Sequence, residues 1–461
     1  MKERYYSLDV FRGMTVAFMI LVNNPAKWNA ANIFGPLDHA PWHGCTPTDL
    51  VFPFFLFAVG NAMAFVMPRL HAAGSDRLFW AKITRRTLLI FGIGFLLLSF
   101  APYFRFNEHN QLVFKTWEWT NVNCIGEITG TPGVRILGVL QRIALCYFFA
   151  AIFIYFTRRR GALFISVFLL LWYWIVCRYG TAHPDPYSVE GWAGREIDIS
   201  LLGSRHIITE GKLAFDPEGL LSTIPAIVSV MLGYLVGEFI QRKGKSYEML
   251  SHLFVAGAVL AALGLFWGES FPLNKKIWSS SYVVYTTGVA ILTLSVLIFL
   301  VEFKQLDKQK GIMPVAGKQL ARLLIPIFLF IAIYAVFELP HWLYETLLTG
   351  FMVVPITVFL VSQVTGNYFL RFFDVFGKNP LFIFVLAGFI PRVLSLIRIP
   401  NGTATNGCPQ YLNPMTWLGE KVCLPAFSNL KMGSLMYSLI IIMTYWAIAW
   451  WMDKKKIYVK V

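Results

Sequence analysis

The chain has 461 residues, of which 57% are hydrophobic and 14% are charged, and its formal net charge is +15. A soluble domain carries roughly 25% charged residues. The composition therefore excludes an ordinary soluble protein and indicates an all-α bundle of transmembrane helices surrounded by membrane lipids. Because Lys and Arg accumulate in the cytoplasmic loops of membrane proteins, the positive charge gives no reason to expect nucleic acid as a partner.

Apolar segments of membrane length recur along the whole chain. A hydrocarbon core of about 30 Å needs roughly 20 apolar residues per helix, and this criterion predicts about twelve spans in one transmembrane domain, residues 1–461. The predicted spans centre on Leu8–Asn24, Asp49–Met67, Leu88–Phe104, Val134–Phe156, Ala162–Cys177, Glu218–Ile240, Leu250–Trp267, Tyr282–Phe303, Leu320–Phe337, Leu343–Val364, Pro380–Ile397 and Gly433–Trp451.

The basic residues predict how these spans are oriented. Twelve spans place five basic clusters on one face: Arg69–Arg86, Arg158–Arg160, Arg242–Lys245, Lys304–Lys318 and Lys454–Lys456. The positive-inside rule then makes this face, and with it both termini, cytoplasmic. The opposite face receives four long loops: Pro25–Thr48, Arg105–Gly133, Arg178–Pro217 and Arg398–Met432.

The six cysteines are too few for a disulfide scaffold. Cys408 and Cys423 share one outer loop, and Cys45 and Cys124 lie in or near two others. An oxidising exterior could pair them, but spacing alone does not assign the partners.

Polar residues concentrate where the second span begins. Asn23 and Asn24 close the first span, His39 and His43 follow in the outer loop, and Asp49 opens the second span. Imidazole is the natural proton shuttle near neutral pH, a nearby carboxylate orients it, and an amide N–H can stabilise a developing oxyanion. We therefore predict chemistry at this face of the membrane.

Several residues of this region also have other interpretations. Asp49 suits the N-cap of the second helix, and Trp42 suits an interfacial anchor. His39 and His43, four residues apart, could bind a metal together with Asp49. Pro41 between the two histidines disfavours a regular helix there, so we predict no metal site.

Arg142 lies inside the fourth predicted span. A guanidinium in an apolar helix must face a polar cavity, an anion or an acidic side chain. The sequence leaves two alternatives: an anionic ligand, or an ion pair with Asp9, Asp49 or Glu218.

Two features on the cytoplasmic side could bind or pair charges. The turn Gly377–Pro380 opens a helix whose free N–H groups, with Lys378, favour an anion such as phosphate. Asp9 and Arg12 are spaced for an i, i+3 ion pair near the start of the first span.

These residues belong to motifs that run along nearly the whole chain. The motifs are Leu8–Gly13, Val22–Asn23, His39–Phe55, Gly138–Arg142, Asp216–Leu221, Asn274–Lys275 with Trp278–Ser279, and Lys454–Ile457. In this order they resemble the transmembrane acyltransferase family of heparan-α-glucosaminide N-acetyltransferase, specifically its bacterial membrane relatives without the lumenal amino-terminal domain.

The resemblance implies an acetyl-CoA-dependent N-acetyltransferase of the bacterial inner membrane. Such an enzyme transfers an acetyl group from cytoplasmic acetyl-CoA to the amine of glucosamine, or of a terminal glucosamine residue, on the periplasmic side. The catalytic histidine of the family maps to His39, as general base or transient acetyl carrier, with Asn23 and Asp49 as its partners. His43 departs from the mammalian enzyme, which has Asn there.

From the resemblance and the charge pattern we predict two further sets of contacts. Acetyl-CoA is expected to contact Arg142, Gln141, Arg12, Arg86, Lys378, Asn379 and Ser281, and the acceptor sugar Trp42, His43, Glu218, Asn274 and Lys275. Residues 305–364 form a predicted inserted helix pair without a counterpart in the ten-helix family core. This pair is one candidate for the contact of a homodimer.

Three other functional classes fit the same pattern of residues. The polar cavity could serve an amino-sugar permease or sensor. It could also serve an O-acyltransferase that modifies surface polysaccharide, or the outer loops could bind a partner protein after catalysis was lost.

Overall fold

The structure is a computed structural model that describes residues 5–106, 112–114, 117–122, 128–211, 213–305, 367–403 and 409–459. Most of this part of the chain is helical. The helices are α1 (Tyr6–Val22), α2 (Val51–Ala72), α3 (Asp76–Tyr103), α4 (Val139–Tyr179), α5 (Ala193–Leu202), α6 (Leu220–Lys243), α7 (Tyr247–Gly268), α8 (Ser280–Ile298), α9 (Asn367–Lys378), α10 (Pro380–Leu394), α11 (Pro414–Trp417) and α12 (Leu430–Lys454).

The described strands form short antiparallel hairpins in the connections between helices. They are β1 (Phe104–Phe106) with β2 (Leu112–Phe114), β3 (Asn121–Val122) with β4 (Ile128–Gly130), β5 (Thr209–Glu210) with β6 (Leu213–Ala214), and β7 (Ile399–Thr403) with β8 (Pro409–Leu412). All of them lie in or at the edge of three of the long loops predicted for the outer face. The fourth loop, Pro25–Thr48, contains short 3₁₀ turns instead.

Six described helical segments are long and apolar enough to cross a membrane, and one bent pair adds a seventh. The six are Pro47–Ala72, Val139–Tyr179, Leu220–Lys243, Tyr247–Gly268, Ser280–Phe303 and Leu430–Lys454. The chain is therefore a multi-pass helical membrane protein. The predicted spans Leu320–Phe337 and Leu343–Val364 lie outside the described residues, so the count of twelve and the inserted pair stay predictions.

Helix α4 contains two antiparallel spans rather than one. Its 41 residues would measure about 60 Å as a straight helix, twice the hydrocarbon thickness. Arg158, with φ of 57° and ψ of −162°, interrupts the helix. Tyr155 lies at the Asp76 end of the bundle, whereas Tyr173 returns to donate to the carbonyl of Ile277. The fourth and fifth predicted spans thus correspond to the two halves of α4.

Glycines allow two pairs of helices to pack with their backbones in contact. A Cβ on Gly60 of α2 would lie 2.0 Å from the carbonyl oxygen of Val230 in α6, and one on Gly13 of α1 would lie 1.8 Å from that of Phe373 in α9. Membrane helices have little hydrophobic drive to associate with one another, so close packing at small residues holds such bundles together.

The helices define two ends of the bundle. At the His39 end, α1 ends and α2, α4, α6 and α8 begin, as shown by the hydrogen bond from Tyr282 of α8 to the Asp49 carbonyl at the start of α2. At the opposite Arg12 end, Tyr5 reaches the last turns of α6. The bent pair α9–α10 turns by 83° at this end, where Arg12 donates to the carbonyl oxygen of Gly377 at 2.7 Å.

Candidate active site

Asp49 is the buried centre of the candidate site. It is the third residue of a 3₁₀ turn that leads into α2 and forms a capping box with Thr46. Its Oδ2 accepts hydrogen bonds from the backbone N of Ala40 (3.0 Å), the backbone N of Thr46 (3.1 Å) and the Thr46 hydroxyl (3.0 Å). The simpler interpretation of Asp49 as the N-cap is therefore wrong: Thr46 is the N-cap, and Asp49 is its N3 partner in the capping box, a role that accounts for only one carboxylate oxygen.

The other oxygen of Asp49 faces His39 and Lys275. His39 Nδ1 lies 2.7 Å from Oδ1, and Lys275 Nζ lies 3.3 Å from the same atom. A carboxylate only accepts hydrogen bonds, so we assign the imidazole proton to Nδ1. This leaves the lone pair on Nε2, which has no hydrogen-bond partner among the described residues, on a side chain about one-third exposed (34%). His39 Nε2 can therefore act as a base.

The loop before α8 carries Lys275 to this position. Buried Asn274 accepts from the backbone N of Lys276 (2.8 Å) and of Ile277 (3.1 Å). Trp278 follows with φ of 54°, a left-handed conformation that reverses the chain into α8. Ser281 donates to the carbonyl of Phe271 at 2.5 Å. This hydrogen bond stabilises the loop between Phe271 and Ser281. The cofactor role of Ser281 stays a prediction.

The predicted acceptor residues Trp42 and His43 border the same loop. The His43 Nδ1 atom lies 3.4 Å from the side-chain nitrogen of Asn274, and Trp42 Nε1 donates to the carbonyl of Tyr187 at 2.9 Å. Lys276 lies 5.6 Å from the centre of the Trp42 ring. His43 thus faces Asn274 rather than Asp49. Among the described residues, no group of three or more His, Cys, Asp or Glu side chains could hold a metal.

A second charged cluster lies next to this site. Arg135 makes a bidentate pair with Asp216, at 2.5 and 3.0 Å, and also donates to Glu218. Although burial alone lowers it, the two carboxylates raise the pKa of Arg135 above its ordinary value. Glu218 also interacts electrostatically with Lys275. Lys275 is therefore a charged neighbour of both the Arg135 cluster and the His39 site.

Arg142 is fully buried beside this cluster. It donates to the carbonyl of Gly219 at 3.3 Å and to the hydroxyl of Ser222, and it lies 5.2 Å from the centre of the Trp278 ring. Among the ion pairs of the described residues, none includes Arg142. The predicted pairs with Asp9 and Asp49 are wrong, because Asp9 lies at the opposite end and Asp49 is saturated by other donors. The third candidate, Glu218, forms its ion pair with Arg135 and interacts with Arg142 electrostatically, without a direct ion pair.

A cavity of about 390 Å³ opens between α1, α3, α10 and the start of α4. Asn23, Gln141, Arg135 and Arg392 contribute its polar lining. The side-chain amide of Gln141 donates to the Ile136 carbonyl at 3.2 Å, while its Oε1 is buried without a partner among the described residues. Among the hydrogen bonds of the described residues, none joins His39 or Asp49 to Asn23. Its catalytic role stays a prediction, and the structure places it on this cavity.

The remaining predicted cofactor residues lie toward the Arg12 end. Arg12 donates to Asp9 at 2.7 Å, which confirms the predicted i, i+3 pair. Arg86 lies 4.8 Å from the centre of the Tyr147 ring. The structure therefore divides the predicted cofactor residues between two ends of the bundle.

Lys378 and Asn379 are occupied by the protein itself. Lys378 pairs with Asp374 at 2.8 Å and with Asp453 at 3.0 Å. The Asn379 side chain donates to the Ile457 carbonyl (2.9 Å) and accepts from the backbone N of Val459 (2.8 Å). Carboxylates thus pair with the Lys378 ammonium that was expected to bind phosphate, and the cofactor role of Lys378 and Asn379 stays a prediction.

A second cavity, of about 400 Å³, lies at the Arg12 end. Its polar lining comes from Asp9, Arg12, Asn61 and Arg69. Asn61 is buried, and its Oδ1 has no partner among the described residues. Asn61 comes twelve residues after Asp49, so the two side chains are separated by about 18 Å along the helix axis.

Asp198 was not predicted to belong to the site. Its Oδ1 accepts from the backbone N of Leu220 at 2.8 Å and caps α6. A Cβ on Gly219 would lie 1.8 Å from its Oδ2, which explains the glycine there. Burial raises the pKa of Asp198 to about 7. No local pattern marks it, because Asp198 is an ordinary acidic residue on the short helix α5.

Four buried cysteines of the described chain form no disulfide with one another: Cys45, Cys146, Cys177 and Cys423. Cys124 and Cys408 lie outside the described residues. The predicted pairing among outer-loop cysteines is therefore not formed between Cys45 and Cys423.

Comparison with known proteins supports the resemblance seen in the motifs. The family model "Heparan-alpha-glucosaminide N-acetyltransferase, catalytic" matches residues 4–267. The heparan-alpha-glucosaminide N-acetyltransferase of Mus musculus is 26% identical over 357 residues, which cover 66% of this chain and 50% of the mouse protein. The Homo sapiens protein of the same name is 27% identical over 356 residues, with the same coverage. The chain spans about half the length of these curated relatives.

Proposed function

Because the chain belongs to the heparan-alpha-glucosaminide N-acetyltransferase catalytic family, we propose that it is an acetyl-CoA-dependent N-acetyltransferase of the bacterial inner membrane. It moves an acetyl group from cytoplasmic acetyl-CoA to the amine of glucosamine, or of a terminal glucosamine residue, at the periplasmic face. The observation that carries the proposal is the His39–Asp49 pair, whose 2.7 Å contact leaves Nε2 as a free base at the His39 end.

The chemistry follows from this geometry. The acceptor amine attacks the thioester carbonyl, its nitrogen loses a proton to His39 Nε2, and the thiolate of CoA leaves and takes up a proton. Asp49 keeps the imidazole in the productive tautomer and stabilises the imidazolium that forms. Asn23, on the neighbouring cavity, would donate to the carbonyl oxygen as negative charge develops there.

A covalent route through acetyl-His39 uses the same residues. In that route Nε2 attacks the thioester and the CoA thiolate leaves; the amine then attacks the acetyl-imidazole, the C–N bond to the ring breaks, and the amine proton passes to the released imidazole. Incubation with radiolabelled acetyl-CoA without acceptor distinguishes the routes: labelled His39 under a quench that preserves acyl-imidazole supports the covalent one, and unlabelled protein supports direct transfer.

The charged groups at the two ends suggest how acetyl-CoA is bound. Its phosphates cannot enter a bilayer unpaired, so they belong at the Arg12 end, where Arg12 and Arg69 line the second cavity. Guanidinium groups are well suited to phosphate. The thioester arm must then extend about 18 Å along α2 to reach the level of Asp49, toward Gln141 and the cavity that includes Asn23.

The acceptor would bind at the rim formed by the loops around Trp42 and Asn274. Trp42 offers an aromatic face, while His43, Glu218 and Lys275 offer hydrogen-bonding groups. This rim borders the His39 pair, so an amine bound there is close to the proposed base.

The experiment is a transfer assay in proteoliposomes with acetyl-CoA on one side and glucosamine on the other. Wild-type protein is expected to form N-acetylglucosamine, and His39→Ala is expected to lose at least about 100-fold in rate. His252→Ala, which alters an exposed histidine of α7, is the matched control.

Other outcomes would contradict the proposal. Glucosamine uptake without acetylation would identify a permease, and acetylation of hydroxyl acceptors in preference to amines would identify an O-acyltransferase. Full transfer by a folded His39→Ala variant would exclude His39 as the base.

A further inference from the structure

A lysine shares the carboxylate that orients the proposed base. Lys275 Nζ lies 3.3 Å from Asp49 Oδ1 and 3.1 Å from His39 Nδ1. Its side chain is 24% exposed and that of Asp49 only 1%. The ammonium and the imidazole therefore compete for one buried oxygen atom.

The backbone fixes Lys275 in this position. Asn274 is fully buried, and its backbone N donates to Ser279 Oγ at 3.0 Å. The next residue, Lys276, points away and contacts Glu210 at 2.5 Å and the Pro41 carbonyl at 2.9 Å. Two adjacent lysines thus have different partners, and only Lys275 acts on the base.

Charged groups on the neighbouring segments define the field at His39. On its own loop, Asp38 accepts from the His39 backbone N at 2.9 Å, and Asp49 follows at the start of α2. From the loop before α8 comes Lys275, and from the segment before α6 comes Glu218, which interacts with Lys275. His43 faces Asn274, and the charges of Lys276 and Glu210 offset each other.

An isolated Asp–His pair has a drawback for a base. The carboxylate favours imidazolium over imidazole, and imidazolium cannot accept a proton. With Lys275 present, part of the negative charge of Asp49 is already compensated. Protonation of His39 then places a second positive charge about 3 Å from the ammonium, which disfavours the charged ring.

We propose that Lys275 is a positioning residue that shares Asp49 with His39 and so disfavours the imidazolium form, which leaves Nε2 available as a base. The inference rests on the proposed function, in which His39 accepts the proton of the acceptor amine. It assigns Lys275 a role in the protonation of the base, in addition to any contact with the sugar.

The test measures the protonation of His39 directly. The purified protein is treated with diethyl pyrocarbonate over a pH series, and modification at His39, distinguished from His43 by fragment ions of the shared peptide, is quantified by mass spectrometry. In Lys275→Met the pH midpoint of His39 modification is expected to rise by about one to two units. Lys276→Met and wild type should share one midpoint, and Lys275→Arg should restore it.

Transfer rates provide the second readout. The acidic limb of the pH–rate profile should move upward by the same amount in Lys275→Met, and the rate should recover at high pH. A lysine with only a structural role would lower the rate equally at every pH. Lys275→Gln, with an expected shift in the same direction, replaces Lys275→Met if thermal unfolding shows that the methionine variant is misfolded.

The outcomes separate the two proposals. An unchanged His39 midpoint in folded Lys275→Met and Lys275→Gln would overturn the role of Lys275. A shifted midpoint in a protein that transfers no acetyl group would support that role and refute the proposed function.

Discussion

Replacement of Asp49 by asparagine tests the tautomer on which the proposed mechanism depends. The carboxylate receives three hydrogen bonds at Oδ2, from Ala40 N, Thr46 N and Thr46 Oγ1, and two contacts at Oδ1, from His39 and Lys275. An amide keeps only one acceptor atom. Because two backbone N–H groups, of Ala40 and Thr46, donate to Oδ2, the amide oxygen should remain there and the NH₂ group should turn toward His39.

This orientation reverses the imidazole. His39 Nδ1 must then accept from the amide, so the ring proton moves to Nε2 and the free base is lost. General-base catalysis contributes about 10²- to 10⁴-fold to a rate, so kcat should fall by that factor, or by about 3–5 kcal/mol in the barrier. The KM for acetyl-CoA should change little, because the substitution leaves the Arg12 end intact.

The assay is the initial rate of acetyl transfer in proteoliposomes at saturating substrates. Glu210→Gln is the matched control, because Glu210 is acidic, lies on the same face and pairs with Lys276. Thermal unfolding checks that Asp49→Asn is folded. A folded variant with kcat within about threefold of wild type, well short of the predicted loss, would refute the assignment of Asp49 as the group that orients His39.

Two further predictions concern packing and pH. In Gly60→Ala the added Cβ would lie 2.0 Å from the Val230 carbonyl oxygen, so we expect a loss of about 1–3 kcal/mol in the free energy of unfolding. The control is Gly92→Ala, whose Cβ meets nothing within 4 Å and should cost no stability. Equal unfolding temperatures for the two variants would contradict this explanation. Burial raises the pKa of Asp198 from 3.8 to about 7, so the folded state keeps that proton at a higher pH than the unfolded state does. The protonated carboxyl therefore stabilises the fold fully below the pKa of Asp198 in the unfolded chain, and this stabilisation is lost as pH rises through about 7. Thermal unfolding across this range should lose that pH dependence in Asp198→Asn, and an identical slope in both proteins would exclude Asp198 as its source.

The sequence by itself determined the membrane character of the protein and the position of most spans. Each of the ten predicted spans within the described residues coincides with a helix, because local hydropathy and the length needed to cross a bilayer are properties of contiguous residues. Chain order also placed His39 and Asp49 at one end, since both lie in the one connection that joins α1 to α2. The Asp9–Arg12 pair was predictable because it depends on helical spacing alone.

Only the tertiary structure decided which charges meet. Lys275 reaches His39 across 236 positions of the chain, and Arg135 reaches Asp216 across 81. Lys378, expected to bind phosphate, is neutralised by Asp374 and by Asp453, 75 positions further along. Such contacts depend on which helices are neighbours and on how their ends are capped. Local hydropathy carries no information about either, so the sequence could name the candidate residues but not the partners that set their charge.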